Sequence, residues 1–567
     1  MFRSRVRCFA VSLLGLSFIQ VGPGVAEEKT QAANHDVMRE IQVRAAADGK
    51  SDLGYWGTDP ENFFGWKTHS NRLIPVYAFG TKGAGKGIDL NSYRGKNSPY
   101  RSEEELQKIY GFIPDQTVDA EATWMDQTNI ADIQMAAAAA GRKYIFLVVF
   151  DGMDWQTTQA AAIYNSGVIY TRGKGAGTHF QDYDAAGTAQ YSFMVTSPHN
   201  EGTDADATTQ QVTNPGGTIR GGYNATAAGR KPWEAPSDPG YLIAKPSEGS
   251  PKHAYTDSSS SASSMTAAVK IYNGSVNVDA TGQPVTTIAH RLQEEGFAVG
   301  AVSSVPISHA TPAAAYAHNV TRQDYQDLTR DMIGRPSVQH PSTPLPGMDV
   351  VIGGGYGTEK PTGKDQGDNY VSGNIYLDEA DLKAIDVANG GRYVTAVRTD
   401  GKSGAELLAE ATTKAVNGHH RLLGFFGVGK YNGHLPFATA DGNYDPAPGV
   451  GRKAEAYSEG DLKENPTLSQ MTESAIAVLS TNEKGFWLMV ESGDVDWANH
   501  DDNIDCSIGA VNSGAAAVKT ITDWVEKHSN WSESIVIVTA DHGHMWNLTN
   551  PQMLANLNKS APKQVKP

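Results

Sequence analysis

The sequence predicts an α/β fold, a three-layer sandwich in which a large, mostly parallel central sheet is flanked by helices, with loop insertions over the candidate active site. Three observations lead there. Short apolar runs without alternation recur at Leu73–Phe79, Tyr144–Phe150, Phe297–Val302, Val350–Ile352, Leu422–Phe426, Phe486–Val490 and Ile535–Val538. Such runs suit strands buried on both faces, as in a parallel sheet covered by helices. Helical stretches fall between them, for example Met265–Tyr272, Met471–Leu479 and Ala515–Glu526. Each run is followed within a few residues by acidic, glycine or small polar residues, and in such sheets ligands sit beyond the carboxyl ends of the strands.

The composition is globular: 567 residues, 39% hydrophobic, with 59 Gly and 27 Pro supplying many loops. A net charge of −16 argues against non-specific nucleic-acid binding, so no nucleic-acid partner is expected. Any anionic ligand must be held by a local positive charge.

Residues 1–26 read as a signal peptide, which predicts an exported protein, periplasmic or secreted. Arg3, Arg5 and Arg7 precede an apolar core from Phe9 to Ile19, and Gly24-Val25-Ala26 is a small-residue cleavage site. The apolar run is shorter than the ~20 residues a membrane span needs, and no other stretch approaches that length. Cleavage removes Cys8 and leaves Cys506 as the only cysteine, so neither an internal disulfide nor a thiol metal site is expected. Residues 27–567 are expected to form a single domain, with loop-rich insertions near 199–255, 327–375 and 427–465.

Three strand ends carry the chemistry. Phe150 leads to Asp151-Gly152-Met153, Val490 leads to Glu491 and on to Asp496 and His500, and Val538 leads to Asp541-His542-Gly543-His544. Carboxylates and imidazoles without thiols suit Mg²⁺ and Zn²⁺. Asp496 and His500, four apart, share one side of a helical turn. Any one of these residues alone would be an ordinary cap or turn; three strand ends together point to a metal site. A fourth element, Thr256-Asp257-Ser258 and the serine run after it, leads into the helix expected near Met265. A serine at a helix N-terminus meets free backbone N–H groups, which favours an anion, although a plain N-cap in a serine-rich linker has the same composition.

Together these segments resemble the alkaline phosphatase family. Asp151-Gly152-Met153 is similar to its first metal motif, and Thr256-Asp257-Ser258 with Ala267–Gly274 to its nucleophile segment. His309-Ala310-Thr311-Pro312 matches the next block, Arg322 falls at the phosphate-clamping arginine, and Glu491, Asp496, His500 and Thr539–His544 match the last two. The resemblance runs from about Tyr144 to His544. It departs from the family at Tyr255 and Ser263, and at the histidine the family places in a strand after its Asp-His-x-His motif. Thr68–Gly80 resembles that missing block, so the resemblance implies a circularly permuted member in which residues 27–142 hold the moved strand and a linker, and 143–548 the catalytic core.

What the resemblance implies is a metal-dependent phosphomonoester hydrolase acting on small phosphomonoesters through a phosphoserine at Ser258, with Arg322 gripping the phosphoryl group. Two Zn²⁺ would be held by Asp496, His500 and His69, and by Asp151, Asp541 and His542. One Mg²⁺ would sit on Asp151, Thr311 and Glu491 beside His309, and His544 would orient a ligating carboxylate. A superfamily phosphodiesterase or sulfate esterase, and a non-catalytic phosphate- or metal-binding relative, stay as alternatives. A homodimer is left open.

Overall fold

The computed structural model describes residues 36–243, 253–451 and 454–560, so residues 1–26, expected to be a signal peptide, lie outside the described residues. Within the unit Val37–Pro567 a ten-stranded sheet is built from β1 (Ile74–Phe79), β2 (Met125–Asp126), β3 (Tyr144–Phe150), β4 (Gln190–Val195), β5 (Ala298–Pro306), β6 (Val350–Gly354), β7 (Tyr393–Val397), β8 (Arg421–Phe425), β9 (Phe486–Ser492) and β10 (Ser534–Thr539). Their spatial order is β7-β8-β6-β5-β9-β3-β10-β1-β4-β2. The pairs from β7 through β10 are all parallel, while β1 runs antiparallel to both neighbours. Val148 of β3 is the register partner of Val490 in β9 and of Val538 in β10. Their carboxyl ends, the three acidic strand ends of the sequence, therefore finish side by side.

The central strands are buried along almost their whole lengths, as expected for a sheet covered on both faces. One group of helices packs Gly404–Gly418, Leu468–Leu479 and Ile504–His528 together; another packs Thr128–Ala139, Ser258–Ala267 and Ile288–Glu294. Among the described residues no helix is long and apolar enough to cross a membrane. Cys506 is a buried free thiol.

Two sequence expectations need correction. The helix expected at Met265–Tyr272 begins earlier, spanning Ser258–Ala267, and ends where Ala268 turns left-handed at φ +60°. Serine is a weak helix former because its hydroxyl competes for backbone groups. Here the run is buried and its hydroxyls bond back within the helix, Ser264 Oγ donating to Ser260 O at 2.9 Å and Ser261 Oγ to Ser258 O at 3.1 Å. Three strands also went unread. β2 has two residues, β7 lies on the sheet's edge, and β4 mixes half-buried and buried positions, so none carries an unbroken apolar run.

Candidate metal centre

Asp151 follows β3, Glu491 closes β9, and Asp541 and His542 follow β10. The turn after β9 starts the helix Asp494–His500, which presents Asp496 and His500 on one side. His69 arrives from the opposite end of the chain. It precedes β1, and a bridge between Ser70 and Gly543 fixes the approach, Ser70 N donating to Gly543 O at 2.7 Å.

Four histidines surround one carboxylate oxygen. Asp496 Oδ1 lies 2.7 Å from His544 Nε2, 3.4 Å from His500 Nε2, 3.5 Å from His69 Nε2 and 3.8 Å from His542 Nε2. Burial would raise the Asp496 pKa, but His500, His544 and His69 hold it well below the carboxylate range. The outer ring nitrogens are fixed by carbonyls: His69 Nδ1 donates to Thr256 O at 2.9 Å and His500 Nδ1 to Lys67 O at 2.8 Å. Both rings are thereby left with bare Nε2 atoms turned toward each other, 3.2 Å apart. Carbonyl-anchored imidazoles of this kind are the usual support of a metal-binding histidine.

The second group is Asp151, Asp541 and His542. Asp151 Oδ1 is 3.1 Å and Asp541 Oδ2 3.5 Å from His542 Nε2. Burial and the neighbouring carboxylates push both aspartates well above their usual range. Gly152 N and His542 N each donate to Asp541 Oδ1 at 2.9 Å. Gly152 is required here: its φ is +76°, and a Cβ would fall 2.8 Å from His544 Cδ2 and 3.1 Å from Asp496 Cα.

Thr311 Oγ1 donates to Asp151 Oδ2 at 3.5 Å, and Ser303 Oγ donates to Glu491 Oε2. Burial pushes Glu491 up to about 8. His309 is half-buried two residues from Thr311, with desolvation and Arg322 lowering its pKa to about 3. Asp151 Oδ1, Glu491 Oε1, His309 Nδ1 and His542 Nδ1 are buried without hydrogen-bond partners. Unpaired carboxylate oxygens concentrated in this way are costly unless a cation meets them. The donor set fits bound cations, and two groups have ligand atoms within 4.8 Å of one another: His69, Asp496, His500 and His544, and Asp151, Asp496 and His542.

Ser258 is the first residue of its helix, capped by Asp257, which accepts from Ser260 N at 3.0 Å. Its Oγ lies 3.3 Å from His542 Nε2. Arg322 donates through Nη1 to Asp257 Oδ2 at 3.0 Å, while its Nε has no partner. Ser258, Arg322, His309, His69 and Asp496 all line one cavity of about 540 Å³. Tyr325 and Tyr376 also line it, and nothing in their local sequence marks them. Asp494 and His434 escaped the sequence reading too. His434 Nδ1 is 3.9 Å from Asp494 Oδ1, and burial raises Asp494 to about 8. Asp494 sits inside the acidic run after β9, a signal that could have flagged it.

Strand-end carboxylates and imidazoles of this kind define an α/β metal-binding protein. The alkaline phosphatase family model matches residues 241–563, more than half of the sequence, and the chain belongs to that family. It is 32% identical over 320 residues to an alkaline phosphatase of Escherichia fergusonii, covering 53% of this chain and 60% of that protein. It is 26% identical over 293 residues to alkaline phosphatase 3 of Bacillus subtilis, covering 52% and 50%. Among solved structures, a cold-active alkaline phosphatase from the psychrophile Shewanella sp. aligns at a TM-score of 0.41 and 20% identity, covering 71% of this chain and 68% of that one. His69 and Asp151 lie ahead of the family match; the other expected site residues lie inside it.

Proposed function

We propose that the protein is a metal-dependent phosphomonoesterase using Ser258 as its nucleophile. The observation that carries this is the Ser258 hydroxyl, set at a helix N-terminus 3.3 Å from His542 Nε2 and sharing one cavity with Arg322. Asp496, His500 and His69 would hold one Zn²⁺, Asp151, Asp541 and His542 a second, and Asp151, Thr311 and Glu491 a Mg²⁺ beside His309. Bound there, such ions supply Lewis acidity toward phosphoryl oxygens and lower the pKa of hydroxyl groups and water.

The chain's own residues supply position. Asp257 holds the Arg322 guanidinium by one Nη, leaving Nε free for a phosphoryl oxygen, a planar recognition that lysine cannot reproduce. Ser258 Oγ attacks phosphorus, the ester P–O bond breaks and the alcohol departs. Water then cleaves the phosphoserine, releasing phosphate and restoring the hydroxyl. The backbone N–H groups of the helix's first turn face the anion throughout.

The reading includes the permutation, supported by His69 entering from ahead of β1 while β1 pairs antiparallel with β10. It also includes export, supported by the pattern of residues 1–26, and the domain division at residue 143. The test is turnover by the zinc- and magnesium-loaded chain of an aryl phosphate, a bis-aryl phosphodiester and an aryl sulfate. Preference for the monoester, at alkaline pH, is expected. Preference for the diester or sulfate, or no turnover with metal bound, sinks the reading.

A further inference from the structure

We propose that His318, Asp331 and His340 form an additional metal site, sharing no residue with the strand-end cluster, for a borderline divalent cation such as Zn²⁺. The three offer one imidazole nitrogen each and a carboxylate oxygen, all within 4.8 Å of one another. His318 is almost fully buried. Its Nε2–H donates to Val285 O at 2.9 Å; a carbonyl only accepts, so Nδ1 is the lone-pair nitrogen. That nitrogen faces His340 Nε2 at 3.0 Å, a spacing that one ion bonded at ~2.0–2.1 Å to each could span.

Asp331 completes the set from the helix Tyr325–Ile333. Its Oδ2 lies 3.9 Å from His340 Nε2 and accepts from His318 N at 3.0 Å, while Oδ1 accepts from Ser337 Oγ at 2.6 Å. The carboxylate is fully buried, and among the described residues its ion-pair partner is His340, not a lysine or arginine. Burial lowers the His340 pKa and favours its neutral form, so its hydrogen bond to His318 brings no full positive charge to that buried carboxylate, which is costly. One ring nitrogen tied to a carbonyl and a carboxylate fixed by two donors match the outer support of metal ligands. A third imidazole packs on the pair: the His290 ring stacks on His318 with centroids 5.0 Å apart, and its Nε2 is buried with no hydrogen-bond partner. His340 is partly exposed, which leaves a path for the ion.

The site's place in the chain gives it a purpose. His318 precedes Arg322 and Asp331 follows it, so a bound ion fastens both ends of the segment that carries the cavity's arginine. Metal bound by folded ligands adds directly to the stability of what they hold together.

The test uses the full chain carrying Asp496→Ala and Asp151→Ala, which takes a ligand from each of the strand-end sites. It is stripped of metal and titrated with Zn²⁺ against a chromophoric chelator, with thermal unfolding followed in parallel. One zinc equivalent and a zinc-dependent rise in Tm are expected. Adding His340→Ala, or separately Asp331→Asn, should remove both while the circular dichroism spectrum is kept. A double variant that binds no zinc overturns the proposal, as does one equivalent that survives both further substitutions. Since the readout is binding, wild-type chain that holds this zinc yet hydrolyses no phosphomonoester would overturn the functional reading and leave this site standing.

Discussion

His69 Nε2 lies 3.2 Å from His500 Nε2, although 431 positions separate them in sequence. His69 also stacks on His542, with ring centroids 3.7 Å apart. A side chain from the N-terminal part of the chain thus stands between His500 and His542, both from its last hundred residues.

His69→Ala is expected to lose one of the bound zinc ions and to lower kcat/KM by at least ~10²-fold, as removal of a zinc ligand or its support does. Metal analysis and kinetics on the purified variant check this. Full metal content and activity in the variant would remove His69, and the permutation with it, from the site.

Ser258→Ala should abolish acid-stable phosphate labelling and reduce kcat by roughly 10³-fold or more, since the nucleophile itself is gone. Ser259→Ala should still label, because Ser259 Oγ is occupied with Asp257 Oδ2 at 2.9 Å. Mapping the label to Ser259 or Ser261 would show that the wrong serine has been chosen.

Arg322→Lys keeps the charge and loses the fork. A drop of about 10² in kcat/KM for an aryl phosphate is expected. The drop for a phosphodiester, with one fewer charged oxygen, should be smaller. Equal losses for the two substrates would count against a dianion clamp.

Gly152→Ala places a methyl group against His544 and Asp496 at a positive φ. The strain and clash should destabilise the fold by about 1–3 kcal/mol, seen as a lower Tm, and displace the neighbouring Asp151. Metal titration should then report weaker binding. An unchanged Tm would mean that the turn after β3 yields more easily than its packing suggests.

Lys270→Ala tests a buried ion pair outside the proposed ligand set. Lys270 Nζ lies 3.3 Å from Asp126 Oδ2 with both side chains fully buried. Removing one partner strands the other charge and should cost about 3–5 kcal/mol by denaturant unfolding. Lys270→Ala with Asp126→Asn should recover part of that loss.

Much of this was legible in the sequence because parallel buried strands write themselves as unbroken apolar runs. β3, β9 and β10 were read with the acidic residues at their ends, and those ends meet in space. What escaped was set by tertiary context. The helix of Ser258–Ala267 depends on burial that a serine-rich string does not announce, and β4 owes its place to pairing with β1. Tyr325, Tyr376 and His434 reach their positions from loops and a helix whose courses no local pattern dictates. The same holds for His318, Asp331 and His340, spread over 22 positions with no recognisable ligand spacing.

The position of β3 has a consequence for how the protein acquires its shape. Both of its neighbours, β9 and β10, are made more than 300 residues later, and β1 must wait for β10 as well. The middle of the sheet therefore closes only after the chain has been synthesised through Thr539, and contacts of such long range make folding slow. Until then both edges of β3 and the β10-side edge of β1 stay unpaired and open to other strands. The same closure brings Asp151, Asp541 and His69 together, so the capacity to bind metal arises late and all at once, and ions present during refolding should speed recovery of the native state more than ions added to an already collapsed chain.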